Sequence, residues 1–415
     1  MKRRVFLASL LPLAAAPQIL SAPVKTRKKA AKPRSKKPRA KPAVPQTTAK
    51  NSVLDAAHPG TSATRLPPVK AFELPQTWRA FAVTTTLRLL PTPERQRLWL
   101  PLPRSPETPY QRDLGCAWQG NFTGGRIIRL PDELEAFYCE WPGGVEPELE
   151  FTSHVATAER HFDISRRTLP PEREDLLRRH LAASRQIPND GAALALAREI
   201  VGRIIDPVAQ AHALFNWITQ NAKYDPQLPP RGDGDVRQQI ATRQFTGRSA
   251  TISGLFVALC RAIGIPARRV FGLRIAPSQV ADSLGIQMGA GTAADATLAA
   301  HCRAEFYVPG YRWIPVDPAD VLRATTLEAL PLAREIALRK LLFGLWEMNW
   351  MAYNTAEAPS LPDNGPQPPF FARPILATPE GESSDVACHI TSQTLPIPWN
   401  RSAEGNPADG DIPAP

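Results

Sequence analysis

The stretch GRSATISGLFVALCRAIGIPARRVFG, residues 247–272, predicts a helix that leads into a strand. Apolar side chains recur at three- and four-residue spacing, which predicts one buried helix face formed by Ile252, Leu255, Phe256, Leu259 and Ile263. Gly264 is expected to adopt the left-handed conformation that commonly ends a helix. Ser249 is predicted at the N-cap or one residue from it, where unpaired backbone N–H groups and the helix dipole would stabilise an anion.

A second stretch, HCRAEFYVPGYRWIPVDPAD at residues 301–320, predicts a hairpin with its turn at Pro309 and Gly310. Side-chain alternation puts His301 on the polar face of the first strand, and Asp317 is predicted on the polar side at the end of the second. Polar groups at neighbouring strand ends can meet across the ladder. We therefore expect His301 and Asp317 to lie close together.

Ser249, His301 and Asp317 are candidates for a nucleophile, a base and an orienting carboxylate, taken from a helix start and two neighbouring strands. The same residues also fit a structural interpretation, with a capping serine, a polar-face histidine and a turn aspartate. The residue pattern alone favours the structural interpretation.

Neither a metal centre nor a cofactor is predicted. The seven histidines show no ligand spacing such as HExxH. The cysteines are odd in number and stand at no metal-ligand spacing, so no disulfide framework is predicted either; they are Cys116, Cys139, Cys260, Cys302 and Cys388.

The net charge of +11 belongs to the N-terminal region of the 415-residue chain. Residues 1–50 contain 14 Lys and Arg and no acidic residue, which leaves 36 basic and 39 acidic residues in the remainder. The expected folded body is therefore mildly acidic, and we expect no nucleic-acid partner.

The first 22 residues, MKRRVFLASLLPLAAAPQILSA, predict an export signal. Two adjacent arginines precede an apolar run from Val5 to Ala16, which is short for a membrane span, so the mature chain is expected to have none. The segment RRVFL resembles the twin-arginine type of signal, which implies a periplasmic or otherwise exported protein. Residues 23–70 predict a disordered linker rich in Pro, Lys and Ala, which could contact anionic envelope components or act only as a spacer.

The remaining chain predicts an α+β protein. Strand-length runs such as AFAVTTTLRLL, RLWLPLP, EAFYCEW and ELEFTSHVATA predict a small β-rich domain over residues 71–163. The segment DPVAQAHALFNWITQNAKYD predicts a helix capped by Asp206, with Pro207 at its first position. We expect the core over residues 164–330, a C-terminal helical and extended segment packed on it over 331–395, and a disordered tail over 396–415.

Residues 231–321, from RGDGDV through VDPADV, resemble the core of bacterial transglutaminase-like domain proteins, which are related to papain-type cysteine enzymes. The segments LFVALCRAIGIPARRVFGLRI and HCRAEFYVPGYRWIPVDPADV carry the resemblance. It implies a papain-like core in which helices pack on an antiparallel sheet. It also implies catalytic roles for His301 and Asp317, which fall on the matching positions.

In that family the helix opens with a segment like GKCAD, whose cysteine is the nucleophile. Here the segment is GRSAT, so Ser249 stands at the nucleophile position and Thr251 at the usual aspartate position. Cys260 lies eleven residues along the helix, about 16 Å away, and Cys302 is on the opposite strand face from His301. We expect both thiols to be packing residues.

Two functions of different class follow from this pattern. The leading hypothesis is an exported domain with impaired chemistry, whose groove binds a peptide or amide-bearing polymer. The alternative is a serine-based acyl transferase or hydrolase that cleaves amide or ester bonds through Ser249, His301 and Asp317. Whether the chain is an enzyme at all therefore depends on the reactivity of Ser249.

Overall fold

The computed structural model describes residues 77–106, 108–162, 171–228, 234–287, 293–379, 381–383 and 386–396, and these belong to one compact unit. The predicted export signal (1–22), the basic linker (23–70) and all but the first residue of the predicted tail (396–415) lie outside the described residues.

Strands dominate the described residues, and nearly all pair antiparallel. They are β1 (Arg79–Arg88), β2 (Gln96–Pro101), β3 (Gln111–Gly120), β4 (Thr123–Leu130), β5 (Leu134–Trp141), β6 (Glu148–Thr157), β7 (Arg160–His161), β8 (Lys223–Tyr224), β9 (Thr246–Gly247), β10 (Ala267–Arg274), β11 (Ala293–Asp295), β12 (Ala300–Val308), β13 (Arg312–Val316), β14 (Leu345–Trp346), β15 (Trp350–Asn354), β16 (Ile375–Thr378), β17 (Gly381–Ser383) and β18 (Cys388–Leu395).

The helices lie between β7 and β14 in the chain. They are α1 (Glu174–Arg178), α2 (Gly191–Val201), α3 (Pro207–Asn221), α4 (Arg237–Thr242), α5 (Ser249–Ala262), the 3₁₀ helix Asp282–Leu284, α6 (Pro318–Glu328) and α7 (Leu332–Leu341). Measured over the described residues, no helix combines the length and the apolar character needed to cross a bilayer.

The helix predicted from residues 247–272 is the centre of the core. One side of α5 packs on β10 and β12, which belong to an antiparallel sheet with the order β13–β12–β10–β15, and α2, α3 and α6 also pack against it. Every residue from Thr251 to Arg261 is buried. The predicted face is buried, with Ile263 at its end only partly so, and the opposite side is buried as well because helices cover the side that the sheet leaves open. The α+β class and the helix-on-sheet core are confirmed.

The predicted end of α5, the predicted cap of α3 and the predicted hairpin are confirmed. Gly264 has a φ of +86°, as the helix stop requires. The Asp206 carboxylate accepts a hydrogen bond from the Ala209 N–H at 2.9 Å, which caps α3. The predicted hairpin is formed by β12 and β13, in which Val308 pairs with Arg312.

Two five-stranded antiparallel sheets contain the runs predicted as strands. Their orders are β11–β18–β1–β6–β3 and β17–β16–β2–β5–β4. The four quoted runs correspond to β1, β2, β5 and β6, whereas β3 and β4 were not predicted. The sheets join strands from residues 71–163 to strands from residues 331–395, since β1 pairs with β18 and β2 with β16.

Candidate functional site

Ser249 is the first residue of α5 and follows an extended N-cap residue, Arg248. Its half-buried hydroxyl accepts a hydrogen bond from the backbone N–H of Cys302 at 3.2 Å. One turn further along, the Ser253 hydroxyl donates to the Cys302 carbonyl at 3.0 Å. Ser249 and Ser253 of α5 therefore bind the backbone N–H and the carbonyl of Cys302 in β12. This pairing sets the start of α5 beside His301, the neighbour of Cys302.

His301 and Asp317 meet as the strand pattern predicted. The distance from His301 Nε2 to Asp317 Oδ2 is 2.7 Å, and both side chains are buried. Asp317 lies one residue beyond β13, where it is the N-cap of α6, and its Oδ1 accepts the Asp320 N–H at 2.9 Å. Asp317 therefore lies at the strand end, as expected, and it also caps the helix that follows. Asp317 therefore holds the imidazole of His301 through Nε2.

Three further charged side chains, which the sequence did not single out, surround this pair. The Asp320 carboxylate lies 3.4 Å from His301 Nε2 and accepts two hydrogen bonds from Arg274, at 2.5 and 3.2 Å. Arg303 Nε lies 3.3 Å from Asp317 Oδ2. All five side chains are at most 5% exposed. Two guanidinium groups balance two carboxylates, so the cluster is neutral when the imidazole is neutral.

The environment favours the neutral imidazole. Burial, and then the Arg274 guanidinium, lower the pKa of His301 despite the two nearby carboxylates. Burial and the charge of Asp320 raise the pKa of Asp317. Burial alone would raise the pKa of Asp320, but Arg274, His301 and Arg303 together outweigh it and hold that pKa well below the usual range. His301 is therefore suited to accept a proton at neutral pH.

The cluster does not fit a metal ion. Ligand atoms of His301, Asp317 and Asp320 lie within 4.8 Å of one another. However, their lone pairs already accept hydrogen bonds, and the buried Arg274 and Arg303 guanidinium groups would repel a cation. These residues thus form an ion-pair network around a histidine.

Neither Cys302 nor Cys260 is suited to act as a nucleophile. Cys302 lies in an apolar cluster with Phe271 and Met351, and burial raises the pKa of its thiol to about 12. Cys260 is fully enclosed in the helical core, where burial raises its pKa well above the usual value. A thiol that stays protonated is a weak nucleophile. Both cysteines are therefore packing residues, as expected. None of the five cysteines, all of which the structure describes, forms a disulfide.

A groove passes Ser249 and His301 on both sides. It consists of two cavities, of about 220 and 200 Å³, which share Arg248, Ser249, Ala300 and His301 in their walls. Arginines line the first cavity, whereas Phe271 and other apolar side chains line much of the second. Thr251 also lines the second cavity. The groove therefore has a cationic arm and an apolar arm.

Comparisons with known proteins match a large part of this chain. Residues 194–318 match the model of the transglutaminase-like superfamily, and this range includes Ser249, His301 and Asp317. A curated protein from Haemophilus influenzae, described as uncharacterized, is 30% identical over 276 residues, which is 62% of this chain and 73% of that protein.

Solved structures are more distant. A provisionally assigned cysteine protease from Cytophaga hutchinsonii has 16% identity and a TM-score of 0.49, over 81% of this chain and 95% of that one. The periplasmic domain of TgpA from Pseudomonas aeruginosa has 18% identity and a TM-score of 0.33, over 63% of this chain and 92% of that one. From the family match, residues 194–318 of this chain form a domain of the transglutaminase-like superfamily.

Proposed function

We propose that this chain is an exported transglutaminase-like protein with impaired acyl-transfer chemistry, and that it binds a peptide or amide-bearing polymer. The observation that carries this proposal is the groove, which continues on both sides of Ser249 and His301. A linear chain could lie along it with an amide beside Ser249. The mixed cationic and apolar walls offer both charge and contact area to such a chain.

The impairment follows from the exchange of sulfur for oxygen. A thiol has a pKa near 8.5, which falls at a helix start, so a cysteine there can rest as thiolate beside imidazolium. A serine hydroxyl stays protonated and needs concerted removal of its proton, together with an oxyanion hole fitted to its shorter bond. The hydrogen bond from the Cys302 N–H holds the Ser249 oxygen against β12. A site organised for sulfur is expected to activate this hydroxyl poorly.

A serine acyl transferase or hydrolase is the second candidate, and the lowered pKa of His301 favours it. In that reaction Ser249 Oγ attacks the carbonyl carbon while His301 Nδ1 takes the hydroxyl proton. Breaking the C–N or C–O bond then passes this proton to the leaving group and leaves an acyl ester on Ser249. Asp317 would fix the imidazole through Nε2.

A fluorophosphonate probe distinguishes the two candidates. We expect the natural protein to be labelled no faster than a Ser249→Ala variant, because the hydroxyl is not activated. Intact-mass spectrometry at neutral pH would measure the adduct. Rapid labelling that the Ser249→Ala change abolishes would establish the acyl-transfer candidate instead. Its rate would then hold down to pH 6.5, where an ordinary histidine is half protonated, because the pKa of His301 is lowered.

The proposed location rests on residues 1–22, with export by the twin-arginine route. Residues 1–70 fused to a reporter that folds in the cytoplasm are expected to bring it to the periplasm. Changing Arg3 and Arg4 to lysine should retain the reporter in the cytoplasm, as cell fractionation would show. Export that survives the double change would mean a different route. The basic linker over 23–70 is proposed to contact anionic envelope components.

A further inference from the structure

The cationic arm of the groove contains two arginines that lack a carboxylate partner. Arg248, Arg274 and Arg323 line the cavity of about 220 Å³, together with the exposed Asp295. Arg274 is neutralised by Asp320. In the part of the chain that the structure describes, Arg248 and Arg323 form hydrogen bonds but no salt bridge. Within the described residues, the arm therefore has positive charge that no salt bridge to Arg248 or Arg323 balances.

Arg323 is held in place before any ligand arrives. Its Nε donates to the Ser283 carbonyl at 2.7 Å, and its Nη1 donates to the Tyr224 hydroxyl. The guanidinium carbon also lies 5.5 Å from the centre of the Tyr224 ring. Among the described residues, Nη2 has no hydrogen-bond partner. A guanidinium that is already ordered loses little conformational freedom when it binds an anion.

The position of Arg323 ties this charge to the candidate triad. Arg323 and Ala319 are four residues apart on α6, and both line the cavity. The cap of the same helix is Asp317, which holds His301. Arg248 immediately precedes Ser249 and lines both arms. The two guanidinium groups thus lie on elements that also carry triad residues.

The opposite arm has a different character. The rings of Phe271 and Phe370 stack there, with centroids 4.9 Å apart and planes 5° from parallel. Leu228 and Ala372 add further apolar surface, and Asp235 is the acidic residue in that wall. Because Arg248 lines both arms but Arg323 only the first, an anionic group would be attracted more strongly to the first arm. This asymmetry gives a bound chain a preferred direction.

We propose that Arg323, assisted by Arg248, forms a subsite for a carboxylate, and that the ligand of the groove is an acidic peptide. This inference rests on the proposed binding function and adds the ligand class to it. The peptide would place a glutamate or aspartate side chain against Arg323 while an amide lies beside Ser249. Guanidinium groups recognise carboxylates through paired, charge-assisted hydrogen bonds.

The test uses the full chain and alanine-based peptides with blocked ends that contain a central glutamine. Each peptide of the series carries one glutamate, at a different position from the others. Its neutral twin has glutamine at that same position. Isothermal titration calorimetry should show that at least one acidic peptide binds about tenfold more tightly than its twin, as expected for a hydrogen bond to a charged group. Arg323→Gln should reduce that preference to within about twofold.

Two other variants separate the subsite from general effects. Arg248→Gln should partly reduce the preference for the acidic peptide over its neutral twin. This variant can therefore test the subsite if Arg323→Gln does not fold. Arg88→Gln removes the same charge at an exposed site outside the groove and should leave the preference unchanged. Equal binding of acidic and neutral twins would overturn the carboxylate subsite but not the binding function. Binding of no peptide would overturn both.

Discussion

A Ser249→Cys variant is expected to gain a thiol that iodoacetamide labels roughly tenfold faster at neutral pH than an unstructured peptide thiol, whose pKa is about 8.5. The first residue of α5 lies among unpaired backbone N–H groups, which stabilise a thiolate. His301 can take the proton, because Asp317 still orients the ring. Mass mapping of the labelled peptide would measure the rate at residue 249 alone.

The native thiols give a low background for this measurement. Burial raises the pKa of Cys302 and Cys260, and both are enclosed in apolar clusters. Adding His301→Ala to the Ser249→Cys variant should slow labelling markedly if the histidine takes part. If the new thiol reacts no faster than a free peptide thiol, the site has changed beyond its nucleophile. Thr251, which replaces the usual aspartate, would then be the first residue to revert.

An Arg274→Met variant is expected to lower the free energy of unfolding by about 3–5 kcal/mol, since it leaves the Asp320 carboxylate buried without its main partner. Urea unfolding at neutral pH would measure the loss. The depressed pKa of Asp320 stabilises the folded state above the usual carboxyl pKa of about 4, and this contribution falls as the pH drops below it. The difference between natural and variant proteins should therefore be smaller at about pH 3.

Two controls test the explanation. The double change Arg274→Met with Asp320→Leu removes both charges and should recover much of the loss, because apolar pairs can replace buried ion pairs. Arg243→Ala breaks the exposed salt bridge to Glu199 and should leave the urea midpoint unchanged. A double variant as unstable as the single one would show that the loss comes from packing around Arg274.

Patterns that act over a few residues were readable from the sequence. The end of α5 at Gly264, the cap of α3 at Asp206 and the β12–β13 hairpin each depend on neighbours within a short stretch. The contact of His301 with Asp317 was also predictable, because strand alternation and a short hairpin bring both to one side. The resemblance to the family then supplied candidate roles that the residues alone did not favour.

The pairing of strands that are far apart in the chain left no comparable pattern in the sequence. Thr85 of β1 pairs with Ile390 of β18, and Trp99 of β2 pairs with Ile375 of β16. Nothing within either strand identifies its partner. Strands β3 and β4 were missed for another reason, since most of their side chains are exposed and no alternation of apolar and polar residues develops.

The ion-pair network was missed because charge partners are fixed by tertiary structure. Arg274 ends a strand that the sequence presents as part of a helix–strand unit, and Asp320 is three residues beyond Asp317 in an apparent turn. Only the tertiary placement of α6, which packs on α5 and α3, brings Arg274 and Asp320 together. An arginine at the end of an otherwise buried strand is the signal that could have identified the network.

The double role of Asp317 limits what its presence can reveal. One carboxylate oxygen holds His301 and the other caps α6, so loss of Asp317 would cost about 0.5–2 kcal/mol for the cap alone, whether or not the chain performs acyl transfer. Selection for stability alone would therefore tend to preserve this residue even in a chain without catalytic activity. The histidine–aspartate pair of this chain is thus poor evidence of activity, and the reactivity of Ser249 is the informative property.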